Sequence, residues 1–253
     1  MNTSQSVNKS LHCFFVLFVC VYAAPVLASE KDPTLLVSTV VAPSDSSTVS
    51  KDALPSLASS SSFPNTSTQV PDGFILRKIQ KGETLSKLCN ADSSCMVIVM
   101  KVNRIDNRHV SVGKKVLVPV DIQKAKSYVP VPKTLADSRG DREIRIFLKL
   151  QYFGAYENAE LLFWGPVSSG KKERRTPPGR FFVNYKERTK RSLKYDNAPM
   201  PFSINYHDGY FIHQQSLPGY PASHGCVRLL ADDAEKLFFW SHFHDPVTLV
   251  QEP

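Results

Sequence analysis

The sequence predicts two folded units of different class: a small α+β module (βααβ) over residues 73–121, and a mainly β domain, a β-sandwich with one helix, over residues 143–253. Three observations carry that expectation. In EIRIFLKLQYFGAY, from Glu143 to Tyr156, apolar Ile144, Ile146, Leu148 and Leu150 recur at every second position, the period of a strand with one buried face. In the same domain only Asp232–Trp240 reads as a helix, with carboxylates in its first turn. Between residues 73 and 121 two strand-like ends flank two short apolar helices. With 253 residues, 42% of them hydrophobic, the chain has material for a core in at least part of its length.

From the N-terminus, Lys9 precedes the apolar run LHCFFVLFVCVYAAPVLA, which ends in small residues at Ala28-Ser29. One positive charge, an apolar stretch and a Val-x-Ala end read as a secretory signal peptide (residues 1–28) cleaved after Ala28. The alternative is an uncleaved anchor, since the run is almost long enough to span a bilayer. A lipoprotein reading at Cys20 is weaker, because Val19 stands where a small residue is expected. Residues 29–72 are rich in Ser, Thr and Pro and poor in aromatics, too little apolar surface to offset the ordering entropy, and read as a disordered tether.

In the module, Phe74–Ile79 is strand-like, Lys81-Gly82-Glu83 turns, and Thr84 can cap a helix through Leu85 and Leu88. A second helix is expected from about Cys95 to Val102, and Lys114–Pro119 closes the unit with a strand. So small a unit is marginal without help. Cys89 and Cys95, six apart, can close a loop by a disulfide in an oxidising compartment. Residues 122–142 then read as a linker. In the β domain, Glu157-Asn158-Ala159-Glu160 turns a hairpin into LLFWGPVSSG, RTPPGRFFVNY supplies a further turn and strand, and PVTLV ends the chain as another.

Formal charge is +8, with a pI near 9.2, so the partners favoured are polyanions. For an exported chain those are envelope polymers. The basic runs KKERR (171–175) and KERTKR (186–191) lack any nucleic-acid-binding signature around them and read as solvated surface loops.

Of five cysteines, Cys13 and Cys20 fall in the leader and Cys89 can pair with Cys95, which leaves Cys226. It stands in FIHQQSLPGYPASHGCVRLL, with His224 two residues before it and His213 further upstream. A thiol nucleophile needs a base or a positive environment to favour its thiolate. The Leu217-Pro218-Gly219-Tyr220-Pro221 stretch can fold the chain back to bring His213 to Cys226. Small Gly225 lets the backbone approach a substrate, and its amide with that of Cys226 can donate to an oxyanion. Cysteine, imidazole and oxyanion donors together describe acyl transfer. Taken alone, Cys226 also fits a small buried hydrophobe, and His213, His224 and Cys226 a zinc site, though one without a clear fourth ligand.

Two resemblances extend these readings. Gly82-Glu83-Thr84-Leu85, Asn103 and Val112-Gly113-Lys114-Lys115-Val116-Leu117-Val118-Pro119 resemble a LysM module. That implies a βααβ fold binding N-acetylglucosamine chains such as peptidoglycan, in a groove lined by Gly82, Glu83, Thr84 and Leu85 with Asn103, Arg104, Ile105 and Asp106; Glu83 replaces the usual aspartate. Ser223-His224-Gly225-Cys226-Val227-Arg228, with Ile212-His213 and Thr176-Pro177-Pro178-Gly179-Arg180-Phe181 upstream, resembles the YkuD-type L,D-transpeptidase catalytic domain from about Glu143 to Val250. This implies acyl transfer on peptidoglycan stem peptides: Cys226 as nucleophile, His213 as base, Ser223 and His224 shaping the site, and the Gly225 and Cys226 amides as oxyanion donors. Arg228, Gln214 and Tyr220 are implied on the substrate side, with Arg228 alternatively bracing the loop. Gln214 stands where a small residue usually follows the histidine, and the His-to-Cys interval is slightly short. No metal or organic cofactor is required. Competing functions are transfer to water (a carboxypeptidase or endopeptidase), transfer onto an envelope protein, and a non-catalytic wall-binding scaffold.

Overall fold

The computed structural model describes residues 69–138 and 140–252. The signal segment and nearly all of the tether lie outside the described residues. Among those described, no helix is long and apolar enough to cross a membrane.

In the module, β1 (Phe74–Lys78) pairs antiparallel with β2 (Lys115–Pro119), Phe74 against Pro119 and Lys78 against Lys115. Between them lie α1 (Leu85–Leu88), α2 (Ser93–Asn103) and a 3-10 turn at Asn107–His109. Thr84 caps α1 by accepting the Lys87 amide at 3.2 Å, as its position predicts. The helix α2 begins two residues before Cys95, because Asp92 accepts the Cys95 amide and fixes the start. A Cys89–Cys95 disulfide, Cα atoms 5.5 Å apart, staples α1 to the first turn of α2. Ile79, Leu88, Ile105, Val116 and Val118 form the packed interior beneath the β1–β2 pair.

Residues 122–142 are more than a linker. Asp121 caps a third helix, α3 (Ile122–Ser127). The chain then runs as a strap along the β domain. Its Val131 and Leu135 are buried with Phe147, Tyr152 and Tyr156, and the Tyr156 hydroxyl donates to the Pro132 carbonyl at 2.8 Å. Backbone bonds add to this, from the Leu135 amide to the Ala159 carbonyl at 2.9 Å and from the Leu161 amide to the Lys133 carbonyl at 2.8 Å.

The β domain is one curled sheet of nine strands in the order β6-β11-β3-β4-β5-β10-β9-β8-β7, where the sequence suggested separate packed sheets. The strands are β3 (Arg142–Phe147), β4 (Tyr152–Glu157), β5 (Glu160–Ser168), β6 (Gly179–Phe182), β7 (Tyr185–Arg191), β8 (Pro199–His207), β9 (Tyr210–Gln214), β10 (Val227–Leu229) and β11 (Pro246–Val250). Long β5 belongs to both halves, pairing with β4 on one side and β10 on the other. The halves close over one core in which Ile144, Phe153 and Val247 meet Ile204, Ile212 and Leu229, with Ala234 and Leu237 of α4 (Ala231–Trp240) joining them.

Two sequence expectations change here. The alternation from Glu143 to Tyr156 is two strands, because the chain turns at residues 148–151. Gln151 adopts a left-handed φ of 59° and its side chain is bonded to the Leu148 carbonyl and to Ser169. The basic run at 186–191 is edge strand β7 and not a loop; its charges suit a strand exposed along one side. The hairpin at Glu157–Glu160 forms as expected, with φ of 50° at Asn158 and 67° at Ala159.

Candidate active site

β9 carries His213, and Cys226 immediately precedes its parallel neighbour β10. β9 and β10 pair Ile212 with Val227, His213 with Arg228 and Gln214 with Leu229. Registered partners share a face, and successive residues alternate. Ile212, Val227 and Leu229 are fully buried on the core side, which turns Phe211, His213 and Arg228 to the other. Cys226 immediately precedes β10, two residues ahead of the register partner of His213.

His213 is 5% exposed. Its Nδ1 lies 2.9 Å from the Gln214 carbonyl. A carbonyl only accepts, so Nδ1 carries the proton and Nε2 keeps its lone pair. Burial foremost, with Arg228 adding to it and the Gln214 hydrogen bond opposing both, brings its pKa down to about 4. The ring is therefore neutral at pH 7, the state a general base needs. Burial pushes the Cys226 thiol up, while the Phe211 amide and Arg228 draw it partly back. The resting pair is neutral thiol and neutral imidazole.

The turn before Cys226 is held by hydroxyls. Ser223 Oγ accepts the Gly225 amide at 3.0 Å and donates to the Cys226 carbonyl. Buried Thr176 donates to the Gly225 carbonyl at 2.7 Å and accepts the Gly170 amide at 2.8 Å. The Ser223 backbone is tied at both its N–H and its C=O to residues 169 and 171. Gly225 adopts φ of 123°, and a Cβ there would sit 2.7 Å from the Tyr210 ring, so no other residue fits without displacement. Two sequence expectations shift. Gly225 is needed for the turn itself, and its amide is taken by Ser223, which removes it as an oxyanion donor.

Half-buried Cys226 and exposed His224 open onto a cleft of about 540 Å³. Its apolar wall includes Tyr185, Met200, Tyr210 and Phe211; Arg174, Arg175, Lys190 and Lys194 line it against one carboxylate, Asp208. His224 stacks on Tyr195 at 4.5 Å between centroids. Slight desolvation, then Lys171, Arg174 and Arg228, shift its pKa down. His224 is therefore a wall of the cleft, and His213 the base candidate behind the thiol.

Gln214 and Tyr220 do not line this cleft. Gln214 contributes its carbonyl to His213 and borders a smaller cavity of about 220 Å³ beside α2 and α4. Tyr220 is 61% exposed, and its carbonyl accepts from Ser168 Oγ at 2.8 Å. In the module, Gly82 and Thr84 are exposed and Glu83 accepts the Gln80 amide at 2.7 Å. Leu85 and Ile105 are buried in the core, and the Asn103 amide bridges Val99 and Leu117, so these three have structural partners in place of an open groove. Among the described residues no group of three or more His, Cys, Asp or Glu side chains is placed to hold a metal ion. The bracing role of Thr176, which the sequence showed only as part of a motif, and the ring of Tyr195 against His224 carry no local signature.

Residues 141–249 match the YkuD family model, the L,D-transpeptidase catalytic domain. Similar solved structures include an L,D-transpeptidase (Yku) from Stackebrandtia nassauensis, 27% identical over 51% of this chain and 62% of that one, TM-score 0.44. An L,D-transpeptidase from Mycobacterium tuberculosis H37Rv is 21% identical over 44% of this chain and 57% of that one, TM-score 0.41. L,D-transpeptidase 3 from Mycobacterium tuberculosis, with a faropenem-derived adduct, is 19% identical over 43% and 60%, TM-score 0.39. The chain thus spans about three-fifths of the length of these proteins. Comparison with curated proteins finds no match.

Proposed function

We propose that this chain is a cysteine-dependent L,D-transpeptidase that acts on peptidoglycan stem tetrapeptides in the cell envelope. The observation that carries the reading is the parallel pairing of β9 with β10, which supports a neutral His213 acting on Cys226, whose thiol opens onto a cation-lined cleft. The match of residues 141–249 to the family model supports the same chemistry. Stem peptides carry carboxylates, which the four cations of the cleft suit.

In the proposed reaction Cys226 Sγ attacks the carbonyl carbon between the third stem residue and D-alanine, and its proton passes to His213 Nε2. The Cys226 amide donates to the oxyanion. Collapse breaks the amide bond, and the D-alanine amine leaves with the proton from His213. A thioester joins the stem tripeptide to Cys226. An acceptor amine then attacks the thioester, gives a proton to His213, and the sulfur leaves to be reprotonated. An acceptor amine on another stem gives a 3-3 cross-link; water gives the carboxypeptidase outcome. Residues 1–28 serve as the export signal, residues 29–72 as the tether, and residues 73–121 as a LysM module that holds glycan through the exposed loop at Gly82–Thr84.

The test is mass analysis of products from disaccharide-tetrapeptides incubated with the protein and with Cys226→Ala. Dimers joined through third residues, absent with the variant, are expected; tripeptides alone indicate water as acceptor, and unchanged substrate refutes the donor assignment. Pelleting with purified sacculi tests the module, and its loss on Thr84→Ala is expected.

A further inference from the structure

The loop that links His213 to Cys226 is fastened in three places. Its first residues are bonded to the sheet, where the Gln215 amide donates to the Leu229 carbonyl at 3.1 Å. Its last residues are bonded to β5, where Ser168 Oγ holds the Tyr220 carbonyl and the Ala222 amide. Its middle is held by the N-terminal module. There the Asp106 amide donates to the Leu217 carbonyl at 3.0 Å, and Asp106 Oδ2 accepts the Leu217 amide at 3.1 Å. Lys114 Nζ donates to the Pro218 carbonyl at 2.7 Å, and Ile105 forms a β-bridge with Pro218.

Two observations show that this contact is built rather than incidental. Gly219 adopts φ of 95°, and a Cβ there would lie 2.9 Å from Lys114 Nζ and 3.2 Å from Ile105 Cγ2. Leu217 is fully buried. The module is also clamped elsewhere: Lys101 Nζ reaches the Trp164 carbonyl at 2.6 Å and Asp233 at 3.0 Å, and the Tyr152 hydroxyl donates to the Val102 carbonyl at 2.7 Å. Asp106 is itself fixed, because Oδ1 accepts the Arg108 amide at 2.9 Å and faces His109 Nδ1 at 2.7 Å.

We propose that the N-terminal module is a working part of the catalytic site, and that Asp106 is a positioning residue which, through Leu217, sets the loop joining the base to the nucleophile. This rests on the thiol chemistry proposed above. It also means that Ile105 and Asp106 face the β domain and are spent on this contact, so glycan engaged by the module would be presented at a fixed offset from the cleft.

The experiment measures acylation of Cys226 by a β-lactam, followed by intact mass, in the purified chain and in Asp106→Ala, Asp106→Asn and Lys114→Met, at a temperature where circular dichroism shows each folded. Saturation separates the limiting rate constant from the half-saturating concentration. Asp106→Ala is expected to lower the limiting rate roughly ten- to a hundredfold, the scale of a small misplacement of reacting groups, with the half-saturating concentration little changed. Asp106→Asn, which keeps an acceptor for Leu217, restores most of it, and Lys114→Met falls between. Wild-type rates in Asp106→Ala and Lys114→Met overturn the proposal, as does an Asn variant as slow as Ala beside a normal Lys114→Met. A wild-type protein that is never acylated counts against the thiol chemistry instead. Amide exchange then reads the coupling by itself: faster exchange in Asp106→Ala should spread from Leu217 toward His213 and Cys226, and exchange confined to Leu217 overturns it.

Discussion

Lowering the pH should unfold this domain partly through His213. Its pKa is about 4 in the folded protein, where burial disfavours the charged ring, against an ordinary value of 6.5. Between those values the unfolded chain binds a proton that the folded chain refuses, so stability rises with pH in that window. It is fully present above about 6.5, is lost as pH falls toward 4, and changes no further below that. A shift from 6.5 to about 4 corresponds to about 3 kcal/mol. Urea unfolding of the wild type and of His213→Asn, at pH values from 7.5 to 3.5, isolates the group, because contributions from other residues cancel in the difference. The wild type should lose about 3 kcal/mol relative to the variant across that range. Parallel stability curves would refute the buried, neutral imidazole on which the general-base role depends.

Three further outcomes follow from the same geometry. Burial raises the Cys226 thiol, so iodoacetamide should alkylate it more slowly at pH 7 than a free cysteine, with a rate still climbing above the ordinary thiol range; a plateau below pH 8 would point to a preformed thiolate–imidazolium pair. Thr176→Val leaves the Gly170 amide and the Gly225 carbonyl without their buried partner, and should cost about 2 kcal/mol or more in chemical denaturation while slowing β-lactam acylation. Replacing Cys89 and Cys95 by alanine opens a loop of sequence separation 6 and should cost the module about 2 kcal/mol on chain-entropy grounds, read as loss of sacculus binding at lower temperature.

Much of the site was legible in sequence because its residues are close along the chain. His213 is next to last in β9 and Cys226 immediately precedes β10, and the intervening prolines and glycine return the chain so that the two strands run parallel. The role of Gly225 was less legible, since whether its amide is free depends on where the Ser223 hydroxyl points, a matter of side-chain geometry. The turn at residues 148–151 was hidden because Leu148 and Leu150 continue the strand period through it, and only the tertiary bonds of Gln151 reveal the break. The strap at residues 128–138 and the pairing of Asp106 with Leu217 were beyond reach for the same reason: each joins residues far apart in sequence, and neither leaves a periodic trace.

Intact-protein mass spectrometry after mixing with a stem tetrapeptide tests the central claim most directly. A covalent adduct with the mass of the tripeptide acyl group, mapped to Cys226, is expected, with free D-alanine released in equal amount. A protein that keeps its mass while the tetrapeptide is unchanged, or an adduct that persists in Cys226→Ala, would contradict it.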